Sequence, residues 1–454
     1  MGVYCVKERK TESKTTELYL DKQMDQLELY LNDVYEKECL FKIEEEEVQF
    51  IQAGIETLVN KIADWILDYF EEQKLQENLD EGLCEILKNR EHTTSPNEII
   101  KVGSFYECTK NGFPDEFDFI FPLYYSDSSL YYSEDDGGVH IPGSTFFQVF
   151  MSAYSGLSYI TEKYKDFLQY TSYDGKRKIY FDKYIDAKGP AAKLHFIYEC
   201  GSDKITDIHV DFVPAVEVTG NKVKETADVI CHLTEFHTEI LHTGSYFLVG
   251  SGGYGITFTA TEAQFIKSVL SKNHAKVYRI LKYLVNGNDD SEKLANYLRA
   301  RKASEKIYSS YMMKTMILRH HYKCTSTEGN EIGSCILAVL DEMCKYKDIE
   351  CFPFLAEQLP VIQQKTSFSQ STCEVMKTFF FVEDMQYPIP LVPYLQSMTI
   401  YLKLMQNSES SICYYYERDK MKKSVSQTYL DDLIEGEITL NKRSILLEIM
   451  SPSQ

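Results

Sequence analysis

Two segments constrain this chain more than any others: PDEFDFIF at 114–121 and DIHVDFVP at 207–214. Each alternates in the manner of a β-strand, whose side chains point to opposite faces in turn. In the first, Phe117, Phe119 and Phe121 share one face, and Glu116, Asp118 and Ile120 share the other. In the second, Ile208, Val210 and Phe212 face one way, and His209 and Asp211 the other. The chain must therefore build a sheet with one face committed to a core and three carboxylates, Glu116, Asp118 and Asp211, held opposite it. Glu116 and Asp118 lie roughly 7 Å apart at Cα, where like charges repel and each resists leaving water. A cation between them relieves both costs. Three acids on adjacent strands suit a pair of Mg²⁺ or Mn²⁺ ions about 3.5–4 Å apart, which bridge phosphate oxygens and stabilise departing pyrophosphate. Just upstream, Gly103 and Ser104 offer a close backbone approach and a hydroxyl for phosphate.

Around these strands the chain reads as α+β. Residues 1–40 are polar and charged, which predicts a loosely attached extension. Residues 44–73 predict a long helix, with Val48, Ile51, Ile55, Leu58, Val59, Ile62, Ile66 and Phe70 at helical spacing. Glu44 to Glu47 place negative charge at its first turn. Residues 100–122 predict a strand, as do 178–186, 193–200 and 205–218, the last two joined as a hairpin. From 259 to 350 the pattern is helical, and prolines at 388–393 mark a break. Divided accordingly, 1–40 is an extension, 41–250 a sheet-containing lobe with the long helix, 251–385 a helical lobe and 386–454 a second extension.

At 454 residues the chain is long for a single core. Twelve scattered cysteines without a C-x-x-C pair suit a reducing, cytoplasmic setting. No apolar run is long enough for a transmembrane helix, and the start shows no secretory pattern. Gly2 and Cys5 hint at lipidation, but Val6 stands where Ser or Thr is wanted. The formal net charge of −21 argues against general nucleic-acid binding. Between Lys267 and Lys323, however, thirteen Lys and Arg face only four Asp and Glu. CHLTEFHTEILH at 231–242 holds one Cys and three His, at intervals that suit neither one helix face nor the usual zinc spacing.

The Gly-Ser, Glu-Phe-Asp and third-Asp combination resembles the nucleotidyltransferases of the Mab-twenty-one family, which contains cyclic GMP–AMP synthase and the animal cGAS-like receptors. GSFYE at 103–107 resembles the family's Gly-Ser-aromatic-aromatic-Glu signature. PDEFDFIF and DIHVDFVPAVE look like its acid-bearing strands. YGITFTATEAQF at 254–265, KYL at 282–284 and SSYMMKT at 309–315 are similar to segments of its helical lobe. CILAVLDEMCKYKDIECFPFLAEQL at 335–359 is similar to its closing helix and loop.

The resemblance implies a bilobal nucleotidyltransferase fold, with a mixed β-sheet catalytic lobe and a helical C-terminal lobe joined by the long N-terminal helix. It implies an enzyme making a cyclic dinucleotide from ATP and/or GTP, with Glu116, Asp118 and Asp211 as metal ligands. Gly103 and Ser104 would then lie on the phosphates, and Lys282 and Ser310 would contact them. Tyr311 would stack on a base, and Thr257, Thr259 and Glu262 would reach nucleobases. The family's base-stacking arginine falls at Gly255. The vertebrate synthase's Cys-rich zinc ribbon has no counterpart, because Ala-Lys-Val-Tyr follows His274. The resemblance thus implies no structural zinc and an activator other than DNA. Double-stranded RNA on the basic stretch, through Lys272, Lys276, Arg299 and Arg301, would make the protein an innate immune sensor.

Overall fold

The architecture is that of a computed structural model, which describes residues 26–75, 99–123, 131–133, 138–140, 143–188, 190–201, 204–231, 233–250, 254–287, 310–324 and 331–343. Arg299, Arg301, His232, the segment from 344 onward and residues 1–25 lie outside the described residues.

In chain order the elements begin with helix α1 (Gln26–Val34), a π-helical turn at 35–39 and the long helix α2 (Glu45–Leu75). Strand β1 (Ile100–Val102) leads into a single helical turn, α3 (Gly103–Tyr106), and then β2 (Glu116–Leu123). A small hairpin, β3 (Tyr131–Ser133) and β4 (Gly138–His140), precedes α4 (Gly143–Lys163). Four strands follow: β5 (Gln169–Thr171), β6 (Arg177–Lys188), β7 (Ala191–Cys200) and β8 (Lys204–Thr219). Next come α5 (Asn221–Ile230), α6 (Thr234–Thr243), β9 (Ser245–Gly250) and β10 (Tyr254–Thr257). Helices α7 (Thr259–Ser268), α8 (Lys272–Lys282), α9 (Ser310–Lys323) and α10 (Ile332–Met343) complete the described chain.

Among the described residues the main sheet has eight strands, with β1-β2-β8-β7-β6-β5 in spatial order, β9 pairing with β8 and β10 with β9. It is mixed: β2 runs parallel to β8, and the other pairs are antiparallel. The sixteen-residue β8 is long enough to serve two neighbours on one edge, β7 along its first half and β9 along residues 215–219.

The alternation in β2 and β8 does what its pattern dictates. Phe117, Phe119, Phe121, Ile208, Val210 and Phe212 are all buried on one face. Onto the main core α2 turns Ile51, Ile55, Leu58, Val59, Ile62, Ile66 and Phe70, and Trp65 packs on Tyr164 with ring centroids 4.6 Å apart. The opposite face is not polar throughout. Ile120 joins Val102, Ala215, Phe247, Val249 and Ala263 in a second, small apolar cluster, which closes the sheet behind the acids.

Two expectations need correction. Residues 100–122 are not one strand, because Gly103 adopts φ +79° and starts a helical turn that sends Phe105 and Tyr106 into the core. Residues 26–39 are not loosely attached either. Leu27, Tyr30, Leu31, Val34 and Cys39 are buried, an i, i+3, i+4, i+7 stripe diluted by intervening acids. Arg279 of α8 fastens this segment: its guanidinium donates to the Cys39 carbonyl, to the Lys110 carbonyl at 2.9 Å and to Asn111 Oδ1 at 3.3 Å.

Candidate functional site

The parallel pairing of β2 with β8 sets Asp118 directly opposite Asp211, and Glu116 opposite His209. Adjacent strands lie about 4.8 Å apart, so two carboxylates start from neighbouring backbone positions and a third sits two residues along the same face. Burial, then Glu116 and then Asp211, push the Asp118 carboxyl up to about 7. The outer two acids have lysine partners: Lys110 Nζ lies 2.9 Å from Glu116 and 2.8 Å from Asp115, and Lys193 Nζ lies 3.4 Å from Asp211. Burial disfavours the charge on Lys110, but Glu116 and Asp115 outweigh it and hold the ammonium above its ordinary range.

Gly103 makes the approach to Asp118 possible. Val102 pairs with Asp118 across the β1–β2 ladder, and the next residue turns back over the carboxylate. A Cβ on Gly103 would stand 1.8 Å from Asp118 Oδ2. Gly103→Ala therefore meets two obstacles, a left-handed φ and a carboxylate in the place of its methyl. We expect it to cost the fold about 1–3 kcal/mol and to weaken Mn²⁺ binding, read by urea denaturation and titration calorimetry. Unchanged Mn²⁺ affinity would count against a metal site at Asp118. Ser104 follows, its carbonyl accepting from the Thr109 N–H at 2.8 Å, which curls the 103–109 segment into a cradle.

The helices supply the opposite wall. A cavity of about 920 Å³ is lined by all three acids together with Gly103, Ser104, Thr257, Thr259, Glu262, Lys282, Ser310 and Tyr311. Residues drawn from five separate stretches of sequence thus meet around one space. Lys282 Nζ donates to the Thr109 carbonyl at 2.9 Å. Burial, with Lys110 adding repulsion, lowers Lys282 to about 8, leaving a cation whose charge an arriving phosphate would secure. Thr257 and Thr259 hydrogen-bond each other through their hydroxyls.

Of the basic residues expected to meet nucleic acid, Lys272 is exposed. Lys276 is half-buried, with its ammonium bonded to Asn32 and 4.5 Å from the centre of the Tyr35 ring. In the 231–242 stretch, His237 pairs with Asp228 at 2.7 Å and Cys231 donates to the Leu233 carbonyl.

Sequence reasoning gave Glu262 a nucleobase contact and did not join it to Glu107 and Lys314 in the ion triad of the helical wall. Lys314 Nζ lies 2.8 Å from Glu107 and 3.4 Å from Glu262, and all three are buried. Against the burial, Glu107 and Glu262 hold Lys314 well above its usual range. Burial pushes the Glu262 carboxyl up, and Lys314 opposes that. Tyr311 bonds to Glu262 as well, so Glu262 reaches the cavity as an anchored group. The signal was present: Lys314 stands alone among Met312, Met313, Thr315, Met316 and Ile317, all buried, and a lone lysine in an apolar helix needs a buried counter-charge.

Hard oxygen donors from three carboxylates, one of them destabilised by the other two, fit a divalent cation of the Mg²⁺ or Mn²⁺ class. No protein-family model matches the chain, and no curated protein matches it, so the reading of this site stands on its geometry and on the motifs.

Proposed function

We propose that this protein is a metal-dependent nucleotidyltransferase that condenses ATP and/or GTP into a cyclic dinucleotide with release of pyrophosphate. The observation that carries the reading is the register of β2 and β8, which sets Asp118 beside Asp211 with Glu116 on the same face, at the floor of the cavity. Bound there, divalent cations supply Lewis-acid stabilisation of the reacting phosphate and of the departing pyrophosphate. A hydroxyl oxygen of one nucleotide forms a bond to the α-phosphorus of the other. The bond to pyrophosphate breaks, and the hydroxyl proton passes to a carboxylate of the trio. A second transfer within the linear product closes the ring.

The chain's own groups divide the remaining work. Ser104 and Lys282 receive phosphate oxygens, and Lys110 steadies Glu116. Tyr311 offers a ring to a base, a contact worth about 1–3 kcal/mol. A volume of about 920 Å³, near the top of the range of about 300–1,000 Å³ for small-ligand sites, supports a substrate larger than one mononucleotide. We further propose a ligand-switched enzyme acting as an innate immune sensor. Double-stranded RNA is its activator, attracted by the basic stretch and read through shape and phosphates.

The test is direct. The purified full-length chain is incubated with all four nucleoside triphosphates, Mg²⁺ or Mn²⁺, and RNA and DNA duplexes. A product that resists phosphatase and disappears in the variant Glu116→Gln/Asp211→Asn supports the reading. Phosphatase-sensitive products would mean a linear polymerase. No incorporation under any condition would leave a nucleotide-binding protein without catalysis. Stimulation by RNA should depend on duplex length and fall steeply with salt.

A further inference from the structure

Among the helices that wall the cavity, but outside its lining, four soft ligand groups converge. His274 of α8, His320 of α9, Cys324 just past the end of α9 and Cys335 of α10 have one ligand atom each, all within 4.8 Å of one another. Among the described residues no other three or more His, Cys, Asp or Glu ligand atoms lie this close together, and those of Glu116, Asp118 and Asp211 do not. His274 and Cys335 are buried.

The separations match one coordination polyhedron. A tetrahedral ion with Zn–S about 2.3 Å and Zn–N about 2.0–2.1 Å puts two sulfurs about 3.8 Å apart and a sulfur and a nitrogen about 3.6 Å apart. Here Cys324 Sγ and Cys335 Sγ are 3.8 Å apart, and Cys335 Sγ and His274 Nε2 are 3.7 Å apart. A disulfide needs about 2.05 Å between the sulfurs, far less than this spacing.

Two further observations point to a ligand. His320 Nε2 is buried and has no hydrogen-bond partner among the described residues, a costly arrangement for a ring nitrogen unless something else binds it. His274 Nδ1 lies 2.8 Å from His321 Nδ1. With the proton on His274 Nδ1 and shared with His321, Nε2 keeps its lone pair toward the cluster. A hydrogen bond from the far ring nitrogen fixes the tautomer and orientation of a ligating histidine, and here His321 takes the place usually held by a carboxylate, carbonyl or water.

We propose that His274, His320, Cys324 and Cys335 bind one structural zinc ion that ties α8, α9 and α10 together. Four protein ligands close the coordination shell, which is the structural rather than the catalytic arrangement, and two thiolates with two imidazoles select zinc over the hard cations suited to the carboxylates. The expectation of no zinc rested on the missing Cys-rich insertion after His274. These ligands instead come from three helices, 46 to 61 residues apart from His274 in sequence. The site clamps the supports of the cavity wall, because α8 carries Tyr278 and Lys282 and α9 carries Ser310, Tyr311 and Lys314.

The experiment needs no enzymatic activity and so stands apart from the nucleotidyltransferase reading. Full-length protein produced in zinc-supplemented medium under reducing conditions is assayed for metal. We expect about one zinc per chain, and near-complete loss in Cys324→Ser/Cys335→Ser. Cys231→Ser should keep it, and His321→Phe should weaken zinc by about 10–100-fold. Should the double variant fail to fold, Co²⁺ exchanged into the wild-type protein serves instead. It should give the visible bands of a tetrahedral ion with thiolate-to-metal charge transfer. Zinc content below one-tenth per chain, a Co²⁺ spectrum without thiolate bands, or a Cys324–Cys335 disulfide in the reduced preparation would each overturn the proposal.

Discussion

Lys314→Met should destabilise the protein by about 3–5 kcal/mol at neutral pH, the usual consequence of removing one partner from a buried ion group. The ammonium now sits 2.8 Å from Glu107 and 3.4 Å from Glu262, and neither carboxyl has solvent to fall back on. Without Lys314 the two acids face each other across low-dielectric space, and the fold must take up protons or open. Burial already pushes Glu262 upward, so the loss should grow as pH rises and shrink toward pH 5, as Glu262 becomes neutral. Urea denaturation of the variant at pH 5.5 and 7.5 measures this. The triple variant Glu107→Gln/Glu262→Gln/Lys314→Met should recover much of the loss, since no charge remains to desolvate. A single-variant loss under about 1 kcal/mol, equal at both pH values, would mean that water reaches the triad.

Asp118→Asn should behave in the opposite way toward stability and, on the proposed nucleotidyltransferase reading, remove activity. Loss of a group that stabilises transition-state charge typically costs about 10²–10³-fold in rate, and nucleotide incorporation should fall by at least that much. In the metal-free protein the folded-state value of Asp118 is about 7 against an ordinary 3.8. Between those values the native state holds a proton that the unfolded chain has released. Stability therefore falls as pH rises through the window and levels off above it. Asparagine carries no such dependence. The stability of Asp118→Asn relative to wild type should climb from near zero at pH 4 to on the order of 2–4 kcal/mol above pH 7. Mn²⁺ should then restore the wild type alone. A difference between the two proteins that does not change with pH would show that the carboxylates are hydrated and independent.

Alternation made the acids legible. In β2 and β8 every second residue is large and apolar, so the strands, their buried face and the shared face of Glu116 and Asp118 follow from spacing alone. The long helix was equally plain, and Glu45–Leu75 matches its pattern closely. Pairing was not legible. Nothing in either strand says that Asp118 lies opposite Asp211 rather than two residues away, because register depends on the partner strand and on β1. The triad escaped because each member looks ordinary in its own segment, and only the approach of α3, α7 and α9 makes them one group. The segment at 26–39 was misjudged for a related reason. Counting charges over forty residues hid a four-residue apolar stripe whose cover comes from the other end of the described chain.

That last contact sets an order of events during synthesis. The Gly333 N–H donates to Glu28 Oε1 at 2.6 Å across 305 residues of sequence. At ribosomal rates of about 5–20 residues per second, helix α1 waits roughly 15–60 s for α10 to emerge. Leu27, which packs against Gly333, lacks that native cover in the interval. Loop-closure entropy grows only logarithmically with length, so the delay costs little at equilibrium, but it leaves part of an amphipathic stripe exposed on every nascent chain. The first described helix to leave the ribosome is among the last to find its seat, and until then it is a natural segment for a chaperone to hold.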